Sequence, residues 1–219
     1  MGISVGLLFL IMAVVAWWLL KQTVNTRPWE TRTSIVVDNG AFPVATAKVG
    51  LYVFLAVITS MFALFISAYT TRMELADWRP LPEPPLLWLN TAILVCSSVA
   101  LQWARHAANR GQIVVLRNAL AAGGIFAFCF MAGQLVAWQQ LVELGYFITS
   151  NPANAFFYLI TGLHGIHVLG GLVAWGRTTR KVWRGCEPAE VALSVELCAA
   201  YWHFLLIIWI VLFGLMLST

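Results

Sequence analysis

Six apolar runs, each near or above the roughly 20 residues that an α-helix needs to cross a bilayer core of about 30 Å, constrain this chain most. They fall at about 3–20, 49–70, 86–104, 116–140, 155–176 and 191–217, separated by charge, proline or turn residues. In lipid every backbone polar group must be satisfied within the protein, which leaves helices or a closed barrel. No stretch alternates with the period of a barrel strand. The expected fold is therefore all-α: a polytopic transmembrane helical bundle of six helices, forming a single membrane domain over residues 1–219 without internal repeats.

Composition agrees, because a chain that is 61% hydrophobic and 10% charged cannot wrap a soluble core in a wetted surface. The first run lacks a basic leader segment and an Ala-x-Ala exit, and it carries Trp17 and Trp18 ahead of Lys21, so it reads as a retained helix. Residues 73–85, with Pro80, Pro82, Pro84 and Pro85, read as a loop. Cys96, Cys129, Cys186 and Cys198 show no CxxC spacing, and neither a disulfide nor a cysteine metal site is expected.

The distribution of Lys and Arg sets the direction of the spans. Lys21, Arg27, Arg32 and Lys48 precede the second run, Arg105, Arg110 and Arg117 follow the third, and Arg177, Arg180, Lys181 and Arg184 follow the fifth. The intervening loop holds only Arg72 and Arg79, offset by Glu74, Asp77 and Glu83. Both termini are therefore expected outside, on the periplasmic face, with residues 21–47 as a cytoplasmic loop. This topological role accounts for the net charge of +4 without a nucleic-acid partner.

Polar side chains within the runs are costly in lipid and are the candidate functional residues. His164 and His167 lie in the fifth run, His203 in the sixth, and Glu196 two turns from His203 on the same helical face; Asn90, Gln102, Asn118 and Gln134 complete the set. Two imidazoles on facing helices could hold a haem iron. The residue pattern favours packing instead, with these groups satisfying one another between helices, and Glu196 and His203 are both expected to face other helices. Gly170 with Ala174 and the adjacent Gly171, and Gly123 with Gly124, are expected sites of close helix approach. The basic cluster Arg177, Arg180, Lys181 and Arg184 offers contacts for anionic lipid headgroups.

The run FFYLITGLHGIHVLGGLVAW at 156–175, with its TGxHGxHV core, resembles the penultimate helix of subunit III of cytochrome c and quinol oxidases. The last run, with Glu196, Tyr201, Trp202, His203, Phe204 and Trp209, is similar to the family's closing helix. WRPLPEPPLLWLNTAILVCSS at 78–98, KVGLYVFL at 48–55, Ala68 with Tyr69, and Gln134 with Trp138 match further elements in order, so the resemblance covers about 48–213. Ile58, Ala137 and Leu206 stand where many members carry carboxylates, so the proton-collecting help ascribed to those groups does not transfer. The longer members have seven helices, and here the arm formed by their first two would be a single helix.

The resemblance implies a six-span, bacterial-type, non-catalytic subunit of a haem-copper terminal oxidase in the inner membrane. It implies a direct contact with subunit I, neighbouring subunit II and small subunits, and bound phospholipids. No cofactor is expected in this chain; haems and copper would reside in partner subunits, where electron transfer, oxygen reduction and proton translocation take place. The family-motif residues Asn90, Gln134, His164, His167, Glu196, Trp202 and His203 would then make interhelical, lipid or subunit I contacts. The rival readings are an accessory subunit of nitric oxide reductase and a b-type cytochrome anchor using His164 or His167 with His203. A transporter would call for broken helices in symmetry-related halves, which the runs do not show.

Overall fold

The computed structural model describes residues 42–81, 84–186 and 188–218. Five helices occur there: α1 (Phe42–Met73), α2 (Leu86–Asn109), α3 (Ile113–Glu143), α4 (Pro152–Trp183) and α5 (Pro188–Leu217). All five are long and apolar enough to cross a membrane, and all lie in the unit that begins at Ala41.

The expectation of six transmembrane helices is thereby corrected to five among the described residues. The physical reason is that hydropathy reports affinity for lipid, whereas a spanning helix is established by backbone hydrogen bonding and packing, which the structure describes for five of the runs. The run 3–20 and most of the loop 21–47 lie outside the described residues, and with the count goes the placement of both termini on one side.

Each helix outruns the apolar stretch that marked it. α1 begins at Phe42 rather than 49, and α4 runs from Pro152 to Trp183 rather than 155–176. Leaving the hydrocarbon does not end a helix, because its hydrogen bonds remain the cheapest partners for its backbone, and Arg180 and Lys181 in the last turn of α4 complement the helix dipole. What ends the helices is turn chemistry. After α2, Gly111 adopts φ +69°, with Gln112 N–H bonded to Ala107 O at 3.0 Å. After α3, Gly145 adopts φ +85°, with Tyr146 N–H bonded to Leu141 O at 2.9 Å. Both are left-handed closures that glycine enters without steric cost. α4 starts where Asn151 Oδ1 accepts from Ala153 N–H at 3.2 Å and Pro152 takes the first helical position.

Contacts between elements arrange α2, α3, α4 and α5 as a ring, α2 on α3, α3 on α4, α4 on α5 and α5 on α2. α1 packs outside it, against α4 and α5. Glycines allow close approach at defined points. A Cβ at Gly123 would fall 2.9 Å from Leu101 Cγ, and one at Gly124 would fall inside the Trp175 indole. On α4 the close approach is made by Gly171, whose Cβ would lie 2.7 Å from Trp202 Cζ3, and not by Gly170, which has nothing within 4 Å. One residue is 100° of helix, so Gly171 points into α5 and Gly170 points away.

The proline-rich loop after α1 is fastened to the same end of the ring. Trp78 packs edge-on against Tyr69, centroids 4.9 Å apart, and tilted against Phe156. Asn151 Nδ2 donates to Arg79 O at 2.5 Å.

Candidate functional site

The polar side chains singled out in the sequence occupy three places. At the end of the ring that carries the basic loops, Glu196 on α5 accepts from Lys48 Nζ of α1 at 3.0 Å and from Arg105 Nη2 of α2 at 3.1 Å. One carboxylate thus ties three helices, and the pairing offsets part of the cost of a charge near the membrane. Two turns further along α5, His203 also turns to α2. Its Nε2 donates to Gln102 Oε1 at 3.0 Å and its Nδ1 accepts from Ser98 Oγ, a tautomer assigned from the partners. Gln102 Nε2 in turn lies 3.3 Å from His106 Nε2. Ser98, Gln102 and His106 follow one another at four-residue spacing, so a polar file runs down one face of α2 from exposed His106 to buried Ser98. It lines an open cavity of about 460 Å³ together with Val99, Trp103 and Leu206.

The second place is the ring interior. His164 is 0% exposed and sits among rings from three other helices, with centroids 6.5 Å from Phe62, 5.9 Å from Phe130 and 5.2 Å from Trp209. Asn90 and Gln134 are buried beside α3 and within it. An unpaired buried polar group costs about 1–3 kcal/mol, and these three side chains make no hydrogen bond to the described residues. His167, one turn along α4, instead donates from Nδ1 to Leu163 O at 2.7 Å and lies against Phe62 at 5.5 Å. His164 and His167 therefore share Phe62 while His203 faces α2, so the ring does not assemble the three histidines into one site. Among the described residues, no three His, Cys, Asp or Glu are grouped to hold a metal ion. The four cysteines are free thiols, Cys198 buried and the others reached by surroundings.

The third place is a groove of about 410 Å³ between α1, α4 and α5, walled by Leu51, Phe54 and Tyr201 and floored by Gly170. Arg177 and Lys181 line its basic end. Arg180 is exposed, and Arg184 caps the C-terminus of α4. Trp202 is wholly buried behind the groove against Gly171.

Several partners in this arrangement carry little hydropathic signal. Thr91 Oγ1 accepts from Trp209 Nε1 at 2.9 Å, Thr161 Oγ1 from Trp138 Nε1 at 3.1 Å, and Ser97 Oγ donates to Gly123 O at 2.8 Å. Hydroxyls of this kind pass as near-neutral within an apolar run. The Ser98–Gln102–His106 spacing is the one regularity that could have revealed the file.

Ile58 is 3% exposed on the buried face of α1 and Ala137 is 0% exposed in α3, so both positions are filled by apolar packing. The model of the cytochrome c oxidase subunit III family matches residues 2–218. The chain belongs to that family. A probable cytochrome c oxidase subunit 3 of Mycobacterium tuberculosis is 34% identical over 172 residues, covering 76% of this chain and 84% of the relative. The probable subunit 3 of Nocardia farcinica is 33% identical over 173 residues, covering 76% and 85%. The cytochrome c oxidase subunit 3 of Synechocystis is 30% identical, covering 75% and 72%. The family match also takes in residues 2–47, which precede the motif-bearing region, and with the five spanning helices it makes this a multi-pass membrane protein.

Proposed function

We propose that this chain is the non-redox subunit III of a haem-copper terminal oxidase in a bacterial inner membrane, seated against subunit I within a complex that also holds subunit II and smaller subunits. The observation that carries this is the family match over residues 2–218. Haems, copper, electron transfer and proton translocation belong to the partner chains. The role of this one is to stabilise subunit I and to hold phospholipid against it. The groove between α1, α4 and α5 suits that role, because its apolar walls match an acyl chain and Arg177 and Lys181 match a phosphate headgroup at the basic membrane surface.

The test is affinity purification of the tagged chain in mild detergent, followed by mass spectrometry and a visible spectrum. A haem-containing oxidase subunit I should co-purify, and dissociating this chain should leave the haem spectrum of subunit I largely intact while lowering its stability. Recovery of a nitric oxide reductase catalytic chain, or a Soret band in the isolated chain, would overturn the assignment. For the lipid, Arg177→Ala with Lys181→Ala should lower retained anionic phospholipid in native mass spectra, and unchanged lipid would remove the groove from the proposal.

A further inference from the structure

The interior of the ring contains one layer of polar side chains whose hydrogen-bonding capacity the protein leaves unused. Asn90 is 1% exposed, Gln134 7% and His164 0%. Asn90 Oδ1 and Nδ2, Gln134 Oε1 and Nε2, and His164 Nδ1 and Nε2 have no hydrogen-bond partner among the described residues.

The three stand on α2, α3 and α4, and close contacts link their surroundings. The Asn90 amide fills the space that a Cβ at Gly133 would take, and Gln134 is the next residue of α3. His164 meets Phe130 edge-on at 5.9 Å, and Phe130 lies one turn from Gln134 on α3. Trp209 closes the layer from α5, 5.1 Å from Phe130 and 5.2 Å from His164. Its indole N–H is bound to Thr91, beside Asn90.

Each amide offers donors and an acceptor, and a neutral imidazole offers one of each. Buried groups of this kind are paired in folded proteins with protein or with ordered water, and a buried water typically makes about three hydrogen bonds. None of the side chains that form the layer is an Asp, Glu, Lys or Arg, so a neutral ligand with both donor and acceptor capacity matches it. We infer that Asn90, Gln134 and His164 form an internal hydration site, in which water sealed behind Phe130 and Trp209 bridges α2, α3 and α4. The site is independent of the subunit's role and would tie three of the four ring helices at a fixed register. His203 is the internal comparison, because protein partners already satisfy both its ring nitrogens.

The test uses the full chain in its purified, lipid-reconstituted complex. Solid-state NMR should show magnetisation transfer from immobilised water to the His164 ring and to the Asn90 and Gln134 amides. A high-resolution density map should show water at about 2.7–3.2 Å from their polar atoms. A dry layer, or the three side chains bonded directly to one another, overturns the inference. Gln134→Met, similar in length but apolar, should reduce water transfer at His164 by roughly half or more while leaving His203 unchanged, since each bridge needs several partners. Unchanged transfer at His164 would show that no water is shared and would overturn the bridge. If that variant fails to assemble, the measurement on the unsubstituted chain decides.

Discussion

Helices α1 and α5 are the most apolar of the five, yet 11% of the most apolar window of α1 is buried inside the described protein against 44% for α5. α5 closes the ring, with Trp202, Leu205, Trp209 and Leu212 wholly buried. Among the described residues α1 packs mainly on α4 and α5, through a narrow stripe that includes Ile58 and Phe62. It leaves Tyr52, Val57 and Leu64 more than 60% exposed. Lipid solvates both helices equally well, so apolarity carries no information about which one the bundle needs. Packing of large side chains and interhelical hydrogen bonds makes that distinction, because lipid competes poorly for either.

The contrast is open to direct attack, most sharply at Trp209. With its ring on Phe130, His164 and Phe213, Trp209→Ala should lower stability by about 3–5 kcal/mol, measured as the denaturation midpoint in detergent. Val57→Ala on α1, 63% exposed, should leave that midpoint unchanged; comparable losses would erase the distinction between ring and appended helix. A smaller effect is expected at the glycines. Gly124→Ala must displace Trp175 from its 2.9 Å bond to Leu120 O and should cost about 1–3 kcal/mol, whereas Gly170→Ala should be silent. If the two cost the same, the close approach of α3 to Trp175 does not matter to the fold.

Glu196→Gln would release Lys48 and Arg105 together. These side chains are 29–38% exposed, so solvent screening keeps the expected loss to about 0.2–1 kcal/mol. It should appear mainly as faster amide hydrogen exchange in α1, with α5 unaffected; equal acceleration in both would mean that α1 is not held separately. The smallest effect concerns the loop that follows α1. Arg72 donates both guanidinium nitrogens to Asp77 and, with that hydrogen bond as the main cause, holds its carboxyl below the ordinary value of 3.8. A lowered carboxylate pKa stabilises the fold at pH above the ordinary value and is lost as pH falls through the lowered one. Loop mobility should therefore rise only in strong acid, and Asp77→Asn should abolish that dependence.

Much of the fold was legible because its causes are local. Hydropathy marked every described helix, and proline marked the loop after α1. The helix ends ran past the apolar limits because hydrocarbon thickness and backbone hydrogen bonding stop at different residues. In the candidate site, Glu196 and His203 share a helical face in the sequence and both turn to α2, but Lys48, Ser98 and Gln102 are 148, 105 and 101 residues away from their partners. No local pattern names such partners. The small-residue reading reached the correct stretch of α4, but which of the adjacent Gly170 and Gly171 makes the approach depends on where Trp202 lies.

The sequence by itself determined the solvent, the helical class and the family, because each follows from composition, run length or short motifs read along one segment. Only the tertiary structure decided that α2 to α5 form a ring with α1 outside it, that His203 belongs to a polar file while His164 faces the interior, and that Asn90, Gln134 and His164 are buried without hydrogen-bond partners among the described residues. These depend on which faces of separate helices come together, and that is settled by the fit of side chains across interfaces rather than by the polarity of any one helix.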